Sequence, residues 1–172
     1  MNRPSLWVTP EAELSAVVAR EPEAIVLSFG SPTRETKRPA GVPAERFHAF
    51  SFNDISEPRE GLTAPSEKDI IRICDLVRGA NGRTMVFQCW FGVSRSTAAL
   101  LTVASALGPG TPADLATRLR AAAPWATPNP LMIALADEQL GLDGRLRAAV
   151  EAIGRGEQAS TGRAFRFDLE AA

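Results

Sequence analysis

The segment Gln88-Cys89-Trp90-Phe91-Gly92-Val93-Ser94-Arg95-Ser96-Thr97 places five residues between a thiol and a guanidinium, with hydroxyls directly after. The apolar Val86-Phe87 leads into it and a small-residue, apolar stretch follows Ser94, so the run reads as strand, tight loop and helix start. Successive backbone N–H groups in such a loop turn inward and form an anion nest. The helix that follows adds the partial positive charge of its N-terminus. Both effects favour a thiolate at Cys89. Gly92 permits a sharp turn where a side chain would collide with a bound anion. Arg95 offers a planar fork to two phosphate oxygens, which a lysine cannot do. The Ser96 hydroxyl can donate to the Cys89 sulfur and temper it as a leaving group. The chemistry such a set would perform is cleavage of a phosphate ester through a cysteinyl-phosphate.

Trp90, Phe91, Gly92, Val93 and Ser94 lie inside this loop and are the candidate substrate-binding positions. Either aromatic can wall the pocket against an apolar leaving group, or one can turn into the core. With 17 arginines against 2 lysines, a bare Cys-x5-Arg spacing carries little weight. Requiring the glycine and the following hydroxyl lowers the chance occurrence to roughly one in five hundred.

The elements around the loop suit that role. Leu6-Trp7-Val8, Ala24–Phe29, Phe47–Phe52 and Thr84–Gln88 read as short buried strands. Glu11–Ala19 carries a helical apolar face. Ser66 caps a helix with a stripe of Ile70, Ile73, Cys74 and Val77, which places Cys74 in the core. Asp69 serves as first-turn charge of that helix. Helices are expected over Ser94–Leu107, from Thr111 or Pro112 to Ala123, over Pro130–Leu140 and over Asp143–Ile153. Residues 154–163 read as a flexible connection, and Phe165, Phe167 and Leu169 alternate as an edge strand would. The expected architecture is a single α/β domain over residues 1–172. Its core spans about 5–155, with a central, mainly parallel sheet flanked by helices, a helical C-terminal half and a tail from 156 to 172. Ligands of open α/β sheets sit at strand carboxyl ends, where Cys89 falls.

Composition narrows the function. With 172 residues, 45% hydrophobic, and a net charge of −1, the chain is globular and has no basic field to draw in nucleic acid or anionic membrane. No apolar run of about 18 residues implies a membrane span, and Met1–Val8 lacks the stretch of a signal peptide. Two cysteines are too few for a disulfide scaffold and one histidine leaves little for zinc, so no metal or cofactor is expected. A chain whose best motif needs a free thiol suits a reducing cytoplasm.

The loop resembles the signature of the cysteine-dependent protein tyrosine phosphatase superfamily, His-Cys-x-x-Gly-x-x-Arg-Ser/Thr, through Cys89, Gly92, Arg95 and Ser96. The short chain is most similar to small dual-specificity-type members and to compact bacterial phosphatase-like proteins. The resemblance implies a tyrosine-phosphatase-like fold and a phosphorylated protein or a small aryl phosphate as substrate. It assigns Cys89 as nucleophile, Arg95 to phosphate and transition-state binding, and an Asp on a separate loop as general acid and base. Asp54, 35 residues before Cys89 at a strand end, is the choice for that acid. Glu57 and Glu60 on the same Pro/Gly loop are its rivals, and simple turn chemistry at Asn53-Asp54 is the alternative. Pro128-Asn129 matches the asparagine that often opens a helix in the dual-specificity group. Gln88 departs from the usual His, and the resemblance then implies a working thiol with less support for its ionised form. No lysine lies between Cys89 and Arg95, which argues against highly charged inositol lipids, and no Tyr is present to clamp phosphotyrosine. Two other readings stay open: a rhodanese-type sulfurtransferase, and a pseudophosphatase that binds phosphorylated partners without turnover.

Overall fold

The structure, a computed structural model, describes residues 4–108 and 110–169. Five strands form one sheet: β1 Leu6–Pro10, β2 Ile25–Gly30, β3 Phe47–Ser51, β4 Met85–Cys89 and β5 Phe165–Phe167, in the order β3-β2-β4-β1-β5. All neighbours run parallel except β5, which pairs antiparallel with β1 at the edge. Six α-helices accompany it: α1 Leu14–Arg20, α2 Glu67–Gly79, α3 Arg95–Leu107, α4 Pro112–Ala122, α5 Pro130–Gln139 and α6 Arg145–Ile153.

Strand alternation sorts the two faces. Leu6, Val8, Ile25, Leu27, Phe29, Met85 and Phe87 point into the larger core under helices α2 to α6. Val26 and Val86 point the other way, against Leu14, Val17 and Val18 of α1. Helix α3 is the buried centre of the helical layer. Ten of its 13 residues are buried, mostly alanines, leucines and threonines, and this small-residue surface lets α3 lie close on β4. The strand that ends at Cys89 and the helix that begins at Arg95 are therefore fixed from both sides.

Cys74 sits in the same core on α2. Burial pushes its thiol up, with Arg78 opposing and Asp75 adding to the shift, so it stays a neutral packing residue. Ser66 and Asp69 form a capping box at the start of α2, which accounts for Asp69 as helix-end charge.

One buried acid anchors the C-terminal helices. Asp137 of α5 accepts from the backbone N–H groups of Gly144 at 2.6 Å, Leu146 at 2.7 Å and Arg147 at 3.0 Å. Burial alone would raise its pKa, but the three amide bonds and the Arg147 charge outweigh it and hold the carboxyl below its usual range. Asp137→Ala strands three donors at the start of α6 and is expected to cost about 2 kcal/mol. Because the folded pKa is depressed, this contribution is full above the unfolded value and fades as pH falls through the folded one. Denaturant midpoints of wild type and variant should therefore converge on acidification. A gap that stays constant would contradict the assignment.

Candidate active site

Cys89 is the last residue of β4, and residues 90–94 link it to the start of α3 at Arg95. Four of the five carbonyls of this loop are engaged by residues outside it. Glu11 N donates to Trp90 O at 3.2 Å, Gly162 N to Phe91 O at 2.8 Å, Thr127 N to Val93 O at 3.0 Å and Asn129 N to Ser94 O at 3.2 Å. Carbonyl and N–H of a peptide unit point in opposite directions. Among the described residues, none of the backbone N–H groups of Phe91, Gly92, Val93 and Ser94 has a protein acceptor. The loop thus presents a set of free donors to the space it encloses, as an anion nest requires. Gly92 has φ +64°, and a Cβ there would meet Pro10 N at 2.7 Å. The glycine is needed for this turn and for its close approach to β1.

The chemistry-bearing side chains converge on that space. The Cys89 sulfur lies 3.0 Å from the Ser96 hydroxyl. Arg95, 8% exposed, spends its guanidinium Nη1 on the carbonyls of Gly30 at 2.7 Å and Phe52 at 3.0 Å. These ends of β2 and β3 hold it across the mouth of the loop. Its buried Nε makes no hydrogen bond, which is costly unless a ligand atom accepts it. Asp54 follows β3 and faces the same space. Its Oδ1 accepts from Ser94 Oγ and Asn129 Nδ2, both at 2.7 Å, and its Oδ2 lies 3.9 Å from Arg95 Nε. A cavity of about 230 Å³ joins Asp54, Cys89, Phe91, Val93, Ser94 and Arg95.

The local sequence explains why Asp54 arrives there. Asn53 clasps the base of the following loop, donating from its N–H to Thr63 O at 2.7 Å and accepting from Thr63 N at 2.9 Å. Asn129 caps α5 through Met132 N at 2.9 Å and uses its amide N–H on Asp54 and on Ile55 O. Glu57 and Glu60 are exposed and line no part of the Cys89 cavity, and Glu57 pairs with Arg59 at 3.6 Å.

Two loop positions differ from expectation. Trp90 does not line the Cys89 cavity. It is 44% exposed, stacked on Phe91 with ring centroids 5.3 Å apart and covered by the Arg34 guanidinium, which Glu11 holds at 2.6 Å. Neither ring enters the core: Trp90 is 44% and Phe91 49% exposed. Phe91 alone reaches the cavity. Gln88 is also placed otherwise than its neighbourhood to Cys89 suggests. Strand alternation turns its side chain to the α1 side of the sheet, in register with Thr9 and Ser28. There it is buried and accepts a hydrogen bond from the Ser28 hydroxyl. It touches the thiol only through the backbone.

Residues 154–163 are not a free connection. Gly156 N donates to Thr127 Oγ1 at 3.1 Å, Glu157 N to Pro124 O at 2.9 Å and Gly162 N to Phe91 O, so the segment straps across the site, with Ala159 and Ser160 on the cavity wall. Its polar, glycine-containing composition gave no sign of this, since every partner is remote in sequence.

No family model matches the sequence, and no curated protein does. Solved structures do match in shape. Human DUSP28 superposes with a TM-score of 0.60 at 18% identity, over 86% of this chain and 99% of that one. DUSP15 gives 0.60 at 17%, over 92% and 97%. A mouse protein described as a dual specificity phosphatase, crystallised with zinc tungstate, gives 0.59 at 16%, over 89% and 93%. The fold is that of the dual-specificity phosphatases. On this dual-specificity phosphatase scaffold, Cys89, Arg95 and Asp54 come from the end of one strand, the start of the next helix and a loop beyond a second strand. No group of three metal-ligating side chains occurs among the described residues, and no helix there is long and apolar enough to cross a membrane.

Proposed function

We propose that the chain is a cysteine-dependent phosphomonoester hydrolase of the protein tyrosine phosphatase type, acting on phosphorylated protein or aryl phosphate. The observation that carries the reading is the buried Arg95 Nε, which makes no hydrogen bond and has only the Asp54 carboxylate nearby at 3.9 Å, set at a cavity that also holds the Cys89 sulfur under free loop amides. A phosphoryl group is the ligand that would use all of these donors at once. The tungstate in the mouse neighbour, an oxyanion of the same shape as phosphate, accords with it.

In this reading the Cys89 thiolate attacks phosphorus and the bond to the leaving oxygen breaks, while Asp54 gives that oxygen a proton. The second step reverses the roles. Water attacks phosphorus, Asp54 takes its proton, and the S–P electron pair returns to Cys89, where the Ser96 hydroxyl 3.0 Å away donates a hydrogen bond to the thiolate. Asp54 Oδ1 already holds two donors, so Oδ2, the oxygen nearer Arg95, is the one that carries the proton. Arg95 and the loop amides hold the non-bridging oxygens throughout. The exposed Phe91 ring supplies an apolar wall for an aromatic leaving group. Two free cysteines suit a reducing compartment, and we place the protein in the cytoplasm.

Hydrolysis of p-nitrophenyl phosphate, competitively inhibited by tungstate, tests the reading. Asp54→Ala should lower kcat about 10²-fold. Phenyl phosphate should lose more, because its poorer leaving group depends more on the acid. An equal loss on both substrates, or a loss only with Glu57→Ala or Glu60→Ala, would remove Asp54 from this role. Persulfide formation on Cys89 from thiosulfate, with no phosphate release, would instead favour the sulfurtransferase. Tight binding of a phosphopeptide without release would favour the pseudophosphatase.

A further inference from the structure

The strap that follows α6 has no part in the chemistry above, yet one of its residues is built against the phosphate-binding loop. Gly162 N donates to Phe91 O at 2.8 Å, and a Cβ on Gly162 would meet Gly92 O at 2.9 Å. Gly162 therefore lies against both carbonyls that flank the Gly92 α-carbon. The same Cβ would lie 2.4 Å from Trp125 Nε1, so the approach needs a residue without a side chain. Beyond Gly162 the chain is secured away from the cavity. Ala164 N donates to Glu13 Oε2 at 3.0 Å, the Phe165 ring meets Trp125 edge-on at 6.4 Å, and β5 pairs with β1.

We infer that Gly162 is a positioning residue for the anion site: its N–H holds the Phe91–Gly92 peptide with the carbonyl outward, so that the Gly92 N–H is directed to the bound phosphoryl group. The inference rests on the phosphatase reading and extends the site to the C-terminal strap. A peptide unit that precedes a glycine can turn over at little cost. Its two orientations differ as type I and type II turns do, the φ of the next residue passing from about −90° to about +80°. A Cβ resists the positive value, whereas glycine takes either. Gly92 stands at φ +64°, so the unit before it has both orientations open. Reversed, that unit would aim the Phe91 oxygen at the anion and turn the Gly92 N–H away from it. The other three outward bonds, from Glu11, Thr127 and Asn129, hold the units before Phe91, Ser94 and Arg95, where a side chain already opposes reversal. Of the four, the bond from Gly162 is the one on which the direction of a donor depends. Since β5 and Glu13 fix the strap from outside the cavity, a segment remote in sequence from Cys89 completes the nest.

The test replaces the Thr161–Gly162 peptide bond of the full chain by an ester, through semisynthesis. This removes the Gly162 N–H and adds no atom that could clash. The Kd of tungstate by calorimetry should rise about tenfold and kcat/KM for p-nitrophenyl phosphate should fall by a similar factor, as when about one molecule in ten keeps the competent loop. The ratio of kcat for p-nitrophenyl phosphate to that for phenyl phosphate should keep its wild-type value, because Asp54 is untouched. Gly162→Ala, which the Trp125 indole and Gly92 O would push off the loop, should show the same pattern. Gly156→Ala is the control for packing. Its Cβ would strike the Trp125 backbone at 2.5 Å at the near end of the strap, while the Gly162 bond stays. It should lower the unfolding midpoint and leave Kd and kcat/KM close to wild type. Wild-type values in the ester protein, or an equal loss of affinity in Gly156→Ala, overturn the role of Gly162 while the phosphatase reading stands. A changed leaving-group ratio would put the effect on Asp54 and overturns it too. A wild type that binds tungstate without turnover contradicts the phosphatase reading, and the Kd comparison still decides the role of Gly162. A wild type that does neither removes both.

Discussion

Cys89→Ser should abolish phosphatase turnover, with kcat down about 10⁴-fold or more, while the protein still binds an oxyanion. The separation follows from the geometry. The donors that hold the anion are the loop amides and Arg95, and their positions are set by the outward carbonyl bonds of the loop and by the anchoring of Arg95 on Gly30 and Phe52. None of these depends on the sulfur. An oxygen replaces the sulfur beside Ser96 with little change in volume, so the variant should fold normally. A serine hydroxyl lacks the ionised pair that forms the bond to phosphorus. Tungstate binding by calorimetry should persist, and phosphate release should not. A variant that loses tungstate binding along with turnover would mean that the thiol, not the nest, organises the site.

Arg95→Lys should lower kcat/KM about 10³-fold despite keeping the charge. The wild-type side chain does two things at once. Nη1 ties together the ends of β2 and β3 through two carbonyls, and the buried Nε makes no hydrogen bond and is left to donate to the ligand. A lysine ammonium cannot span both carbonyls and also present a second, coplanar donor. It would be drawn either to the carbonyls, leaving the phosphoryl group unheld, or to the anion, leaving two buried acceptors unpaired. The first alternative appears as lost activity at normal stability, the second as lost stability. Thermal unfolding with and without tungstate separates them: a ligand that binds the folded state raises the midpoint by an amount that grows with the logarithm of its concentration over Kd. Retention of wild-type kcat/KM in the lysine variant would show that charge alone suffices and that the fork has no role.

The run from Cys89 to Ser96 was legible in the sequence as strand, loop and helix start because these are consecutive, whereas the approach of Gly92 to Pro10 depends on a strand remote in sequence. Asp54 was legible as a position, at a strand end on a loop of its own. What brings it inward was only half visible. Asn129 could be singled out, but its bond to Asp54, and that of Ser94, span many residues. Gln88 shows how a readable signal is missed. Alternation along β4, with Phe87 and Cys89 facing the helical core, already places Gln88 on the opposite face, whatever its distance in sequence from the thiol. The orientation of Trp90 depended on Arg34 and Glu11, which meet it only in the folded chain. The strap was hidden for a different reason. Glycine and polar residues mark a linker and a closely docked segment alike, and what distinguishes the two are bonds to residues remote in sequence and the clash that a Cβ would make at Gly156 and Gly162.

The covalent step is the centre of the account, and a rapid denaturing quench of the wild type during turnover of a radiolabelled aryl phosphate tests it most directly. Label should be recovered on the peptide that contains Cys89, at a level that rises and then decays as substrate is exhausted, and Cys89→Ser should carry none. Phosphate release at the normal rate with no label on Cys89, or with equal label on the Cys89→Ser protein, would contradict a cysteinyl-phosphate intermediate.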